Sequence, residues 1–274
     1  MKKKVFKFKK DKTYEALFLS DVHYLLSKKI RMHRHKELFQ MLDMLRKRGV
    51  RFREIYLVGD IIENWYFSAE RKLVRKFGKK RFNKLFDRID ALGVENVLKV
   101  YILGNHDSFS YIIALPPKIE AYLRARKYQI CEKYETSDRV IVHGHQGQYG
   151  KFFWFLNIMS VRILHFVASL YPKFFTVMEN FYRRHFNFDR NETEQEVKEF
   201  YDLLSERTRQ GKRLLICGHT HQFYSDAQRR WANTGDWIDS RTFLVQKGNQ
   251  LFGLEYAKKK QCLVRYVLPV LKST

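Results

Sequence analysis

The sequence predicts an α/β protein whose functional site lies at the C-terminal ends of its strands. Three observations predict it. Short apolar runs alternate with stretches of helical spacing, and each run stops at a polar cluster holding His, Asp or Asn. From Trp231 to Leu268 the chain reads as successive strands, with turns at Thr234-Gly235 and Lys247-Gly248-Asn249, and these are expected to complete a second sheet.

The elements follow in order. Met1–Lys12 is lysine-dense with Val5, Phe6 and Phe8 between, the pattern of a solvated edge strand or frayed arm rather than one that touches a membrane. Ala16–Leu19 is apolar and ends at Ser20-Asp21. Leu38, Met41, Leu42 and Leu45 recur at helical spacing within Arg34–Arg48, which stops at Gly49. Ile55–Val58 ends at Gly59-Asp60, and a basic helical stretch fills Arg71–Leu92. Val97–Leu103 ends at Gly104-Asn105, Val140–Val142 at His143, and Leu214–Cys217 at Gly218-His219.

Composition narrows the class. With 274 residues, of which 45% are hydrophobic and 16% aromatic, the chain can bury a substantial core, which excludes disorder as its main state. Only 4 prolines and 13 glycines occur, no repeat or linker divides the chain, and a single domain over 1–274 is expected. The 53 Lys and Arg against 29 Asp and Glu give +24, which favours polyanions: nucleic acid, anionic lipid or phosphorylated metabolites. Three scattered cysteines (Cys131, Cys217, Cys262) offer neither a disulfide framework nor a zinc knuckle and fit a reducing cytosol. The N-terminus lacks a signal-peptide pattern, so a cytoplasmic protein is expected.

Five segments carry the chemistry: Asp21-Val22-His23, Gly59-Asp60-Ile61-Ile62-Glu63, Gly104-Asn105-His106-Asp107, His143-Gly144-His145 and Gly218-His219-Thr220-His221. Singly, each is ordinary; Gly59 and Gly218 could be no more than strand-end turns. Jointly they are not, because all five follow strand-like runs and would converge on one edge of a parallel sheet. So many carboxylates and imidazoles would compete for protons without a cation. Oxygen and imidazole donors without cysteine suit Mn²⁺, Fe or Zn²⁺.

In this order the five segments resemble the calcineurin-like metallophosphoesterase superfamily, over about Leu17 to Ser240. Within it the chain is most similar to the UDP-2,3-diacylglucosamine pyrophosphatase group of lipid A synthesis. That likeness rests on Glu63-Asn64-Trp65, Gly218-His219-Thr220-His221-Gln222 and Asn233-Thr234-Gly235-Asp236-Trp237. The typical enterobacterial enzyme has Arg in place of His106 and Asp in place of His145, so this chain is closer to the branch that keeps Gly-Asn-His-Asp. The resemblance implies a two-sheet α-β-β-α sandwich and two divalent metal ions, Mn²⁺ above all, with Fe or Zn²⁺ as alternatives. It implies Asp21, His23, Asp60 and His221 at the first metal, and Asp60, Asn105, His143 and His219 at the second. His106 would be catalytic, stabilising the transition state or protonating the leaving oxygen, oriented by Glu63 or Asp107. His145 would donate to a phosphate or support the metal ligands from behind, or be a surface histidine beside the site.

Phe152–Phe188 departs from a plain phosphatase scaffold. It is apolar nearly all round, broken at Pro172 and closed by Arg183-Arg184. Arg162, His165 and Pro172 argue against a membrane span. A buried core helix, a helical cap and an interfacial helix all fit the residues. The resemblance favours a cap at about 151–190 that holds acyl chains, with Arg183 and Arg184 near the diphosphate or anionic headgroups. The implied substrate is a lipid-linked nucleotide, UDP-2,3-diacylglucosamine, met at the inner face of the cytoplasmic membrane. A phosphodiesterase or nuclease acting on nucleic acid, and a non-catalytic membrane-binding scaffold, are the competing expectations.

Overall fold

The computed structural model describes residues 4–24, 35–63, 71–107, 115–147, 194–257 and 261–270. The insert expected at about 151–190, with Arg183 and Arg184, lies outside the described residues, as do Asn64 and Trp65.

In chain order the elements are β1 (Val5–Phe6), β2 (Thr13–Leu19), α1 (His35–Lys47), β3 (Arg51–Val58), α2 (Arg71–Asp90), β4 (Gly93–Ile102), α3 (Pro117–Ala125), β5 (Tyr128–Cys131), β6 (Lys133–Glu135) and β7 (Arg139–Val142). A 3-10 turn (His145–Gly147) follows β7. The remainder is α4 (Glu194–Thr208), β8 (Leu214–Cys217), β9 (Ser225–Asp226), β10 (Trp231–Asn233), β11 (Thr242–Lys247), β12 (Gln250–Ala257) and β13 (Gln261–Pro269). One sheet runs β1-β13-β12-β11-β2-β3-β4-β5 and the other β6-β7-β8-β10-β9. Strands β2 to β5 are mutually parallel, as are β7, β8 and β10.

Alternation along the strands makes the layers. In β2, Leu17 and Leu19 face one way, packing with Leu38, Met41, Leu42 and Leu45 of α1 and with Phe86 of α2. Ala16 and Phe18 face the other way, meeting Ile141, Ile216 and Ala232 of the second sheet. The far side of that sheet, through Val140, Leu215 and Trp231, buries Tyr201 and Leu204 of α4. Helices therefore cover both outer faces of two stacked sheets. Helix α1 carries Glu37 in its first turn and Arg46 and Lys47 in its last, matching its dipole. Its buried leucines each hold about 2–5 kcal/mol against truncation to Ala.

Two expectations are corrected. The terminal strands β11, β12 and β13 do not complete the second sheet; they extend the first, where β11 pairs antiparallel with β2. Only β10 of that region joins the second sheet, parallel to β8. The five segments consequently do not line one sheet edge, because β2, β3 and β4 end in the first sheet and β7 and β8 in the second. Burial explains the arrangement. Strands β11 and β12 carry apolar residues on both faces (Phe243, Val245 and Leu254 outward, Leu244 and Leu251 inward), so they fit only between other layers. The N-terminal arm is an edge strand, β1, paired with β13. Among the described residues, no helix is long and apolar enough to cross a membrane.

Candidate metal centre

Each site residue sits where a parallel strand stops. Asp21 and His23 follow β2, Asp60 and Glu63 follow β3, and Asn105 to Asp107 follow β4; His143 and His145 follow β7, and His219 and His221 follow β8. Asp21, His23, Asp60, His219 and His221 all take left-handed backbone angles, with φ between 46° and 72°. Such angles are disfavoured for side-chain-bearing residues and concentrate where function holds them. Two glycines permit the approach. A Cβ on Gly59, itself at φ 81°, would fall 2.4 Å from the His143 ring. One on Gly218 would fall 2.3 Å from Asp21 Oδ2. These glycines are spacers within the site as well as turns.

The side chains form two groups joined at Asp60. Asp60 Oδ2 lies 3.1 Å from His143 Nε2 and 3.8 Å from His23 Nε2. His221 Nε2 is 3.2 Å from Asp21 Oδ1, and Asn105 Oδ1 is 3.2 Å from His143 Nε2. Potential ligand atoms of Asp21, His23 and His221 cluster within 4.8 Å of one another, as do those of Asp60, His143 and His219. His23, Asp60 and His106 make a third such set between them.

Hydrogen bonds fix the tautomers. His143 Nδ1 donates to the Val58 carbonyl at 2.9 Å, which turns Nε2 toward Asp60. His23 Nδ1 donates to Glu63 Oε2 at 2.8 Å, so its Nε2 likewise faces Asp21 and Asp60. A partner on the remote nitrogen is how metal-bound histidines are held.

The protonation states follow from burial and from the mutual charge of these groups. Burial works to raise the Asp60 pKa, yet His143, His106 and His23 around it hold it well below the usual carboxylate range. Burial likewise works against charging His143, but Asp60 outweighs it and carries that pKa up to about 9. His219 is pushed well down by burial and by His143, and stays neutral.

These residues fit a pair of divalent cations. The buried His219 Nε2 has no hydrogen-bond partner among the described residues, although it belongs to the cluster with Asp60 and His143. The donor set, oxygens and imidazoles grouped around one shared carboxylate, is the chemistry that holds two such ions. It does not select among Mn²⁺, Fe and Zn²⁺.

The other predicted residues take distinct places. His106 is 24% exposed at its side chain, and its Nδ1 donates to Glu63 at 2.9 Å. Glu63 therefore joins His23 to His106, and its own pKa falls to about 2 because the two histidines outweigh its burial. Asp107 reaches the Asp60 loop. Its buried carboxylate accepts from the N–H of Asp60, Ile62 and Gly104 at 2.8, 2.9 and 2.9 Å, and from Tyr101 Oη at 2.7 Å. It braces the loops that carry Asp60 and Asn105. His145 is not a surface residue: it is 7% exposed, with its ring 5.7 Å from that of His143 and 6.3 Å from that of His219. Burial, then the neighbouring His143, lowers its pKa to about 3. Cys217 is a buried strand residue whose thiol burial pushes up to about 12.

Asn233 has a role that its sequence did not disclose. Its Nδ2 donates to the Gly218 carbonyl at 2.8 Å and to Thr220 Oγ1 at 3.1 Å, while its Oδ1 accepts from Gly235 N at 2.7 Å. It ties the His219–His221 loop to the turn whose Trp237 N donates to the Asp21 carbonyl at 3.1 Å. Its place in Asn233-Thr234-Gly235-Asp236 marks a turn, and pattern alone carries no more.

Comparison with known proteins follows this geometry. No curated protein matches. Among solved structures, the chain is similar to a dimetal phosphatase from Danio rerio, at 10% identity over 95% of this chain and 99% of that one, with a TM-score of 0.43, a likeness too slight to argue from. The calcineurin-like phosphoesterase family matches residues 15–223, well over half of the chain and inclusive of every ligand placed above. By that match the chain belongs to the calcineurin-like phosphoesterase family, and it is a metal-dependent phosphoesterase.

Proposed function

We propose that this phosphoesterase hydrolyses the diphosphate of a lipid-linked nucleotide, UDP-2,3-diacylglucosamine, to 2,3-diacylglucosamine 1-phosphate and UMP. The observation that carries the chemistry is Asp60, grouped with His143 and His219 on one side and with His23 and the partly exposed His106 on the other. The sequence resemblance supports the substrate, and the +24 charge supports an anionic membrane surface at the inner face of the cytoplasmic membrane as its meeting place.

Two divalent cations would supply positive charge against the phosphoryl oxygens and acidify water. Asp21, His23, Asp60 and His221 would hold one, and Asp60, Asn105, His143 and His219 the other. The chain's own residues do the rest. His106, with Nδ1 bonded to Glu63, would use Nε2 on the substrate. Burial disfavours its charged form, but Glu63 and Asp60 outweigh that and raise its pKa, so it carries a proton to give. Water releases a proton to solvent as it adds to one phosphorus, the P–O bond to the leaving phosphate breaks, that oxygen takes the His106 proton, and His106 regains a proton from solvent. Asp107 keeps the Asp60 and Asn105 loops in register throughout.

The test is an assay of Mn²⁺-loaded protein on the UDP-lipid, a chromogenic phosphodiester and single-stranded DNA. Selective turnover of the UDP-lipid is expected. Cleavage of DNA alone would replace the reading with a nuclease, which the surplus of basic residues also favours, and silence on all three would leave a binding scaffold. Flotation with anionic liposomes tests the membrane partner; absence of binding at low salt would remove it.

A further inference from the structure

A second cleft, of about 500 Å³, opens at the metal-bearing end of the first sheet. Phe223, Tyr224, Arg241, Glu255, Arg265 and Tyr266 line it. Its position follows from strand register. Thr242 at the start of β11 lies two residues before Leu244, which pairs with Phe18, and Glu255 of β12 pairs with Thr242. The cleft is thus two strands along from Asp21 on the same edge, roughly 10 Å away. One loop serves both places: Trp237 N donates to the Asp21 carbonyl, Asp236 N donates to Thr242 Oγ1 at 3.1 Å, and Arg241 lines the cleft.

The lining has a definite chemistry. Arg265 is neutralised by Glu255 at 2.5 Å. Arg241 forms no ion pair among the described residues, and its buried Nε has no hydrogen-bond partner. Its backbone is held at φ 57°, a strained angle for a long side chain. Phe223 and Tyr266 pack with ring centroids 4.8 Å apart, and Tyr266 Oη donates to the Asn233 carbonyl at 2.8 Å, so the aromatic wall is fixed. An unneutralised guanidinium seeks an anionic oxygen, and a fixed aromatic wall receives a planar ring. Asp239 at the exposed rim repels a second anion, which limits the charge the cleft accepts.

We infer that this cleft seats the nucleoside monophosphate part of the substrate, with its ring against Phe223, which Tyr266 backs, and a phosphate oxygen on Arg241. The inference rests on the nucleotide reading above and deepens it. The cleft stands beside the metal centre, so the diphosphate bridges from one to the other.

Calorimetric titration of UMP into protein kept in EDTA tests it, because the metal centre then contributes no cations. Binding is expected for UMP and is expected to be weaker for uridine or inorganic phosphate alone. Arg241→Ala should weaken UMP binding by roughly tenfold or more, the scale of one charge-assisted hydrogen bond, with Arg241→Lys in between; unchanged circular dichroism melts would show that both variants fold. No UMP binding, equal binding by Arg241→Ala, or phosphate binding as tightly as UMP would each overturn the assignment. Turnover of the UDP-lipid separates the two claims. UMP binding without such turnover would end the lipid reading and leave the cleft, whereas turnover with no effect of Arg241→Ala on UMP would end the cleft alone.

Discussion

Asp60 and His143 face one another at 3.1 Å across the seam between the two sheets, one at the end of β3 and the other at the end of β7. The same Asp60 oxygen lies 3.8 Å from His23 Nε2, so this carboxylate belongs with His143 and His219 in one set and with His23 and His106 in another, next to Asp21 and His221. Asp60→Ala should therefore abolish turnover and reduce the occupancy of both ions, read by elemental analysis. A variant that kept two bound ions and full turnover would remove the shared role.

The Asp60–His143 pair also sets a pH dependence. Without metal, His143 holds its proton up to about 9, above its ordinary value of 6.5. The stability this pairing contributes to metal-free protein is fully present below pH 6.5 and is lost as pH climbs through 9. Metal binding needs the neutral ring, so affinity should move the opposite way, rising from pH 6.5 to 9 with protons released on binding. Titrations in buffers of different ionisation enthalpy measure that release; an unchanged proton count would refute it.

His106 and Glu63 should separate chemistry from metal binding. His106→Ala is expected to keep the metal content and cut turnover about 10²- to 10⁴-fold. Glu63→Gln touches both His106 and His23, and should lower turnover together with metal affinity, the latter about 10- to 100-fold. Equal effects of the two variants on metal content would mean that His106 is a ligand.

Gly218→Ala places a methyl group 2.3 Å from Asp21 Oδ2, with Ser20 Oγ at 2.5 Å behind it. Neither neighbour is at the end of a long flexible chain, so the loop must shift. A loss of about 1–3 kcal/mol in thermal or urea unfolding is expected, with weakened ion binding at the Asp21, His23 and His221 cluster.

Asn233→Ala removes the bonds that hold the Gly218 carbonyl and the Gly235 amide, both buried. About 1–3 kcal/mol of stability should go with them. Since Asn233 is not a ligand, its variant should retain ions at saturating metal; failure to bind them at any concentration would count against a purely positioning role.

The ligand residues could be read along the chain because each is tied to a local signal. An apolar run followed at once by Gly-Asp, Gly-Asn or Gly-His specifies a strand that ends in a polar loop, and strand ends in parallel sheets share an edge. Helix α1 was equally legible, since Leu38, Met41, Leu42 and Leu45 mark one face whatever they pack against. Sheet membership was not. Strands β11 to β13 alternate as well in one sheet as in the other, and only pairing with β2 decides which face of each is buried. Roles that depend on partners distant in sequence escaped for the same reason. The bracing of the Asp60 loop by Asp107, and the bond between His106 and Glu63, 43 positions away, join residues that no local pattern pairs. His145 shows the same limit: its two nitrogens lie buried beside His143 and His219, a fact set by how the second sheet meets the first.

What the amino-acid order determined, then, was the set of donors and their placement at strand ends, because side-chain type and hydrophobic spacing are local properties. What only the tertiary structure decided was which donor faces which: that the cluster is assembled from two sheets, that Glu63 serves two histidines, and that Asn233 holds the last loop. Those follow from sheet stacking and long-range hydrogen bonds, whose partners no local pattern encodes.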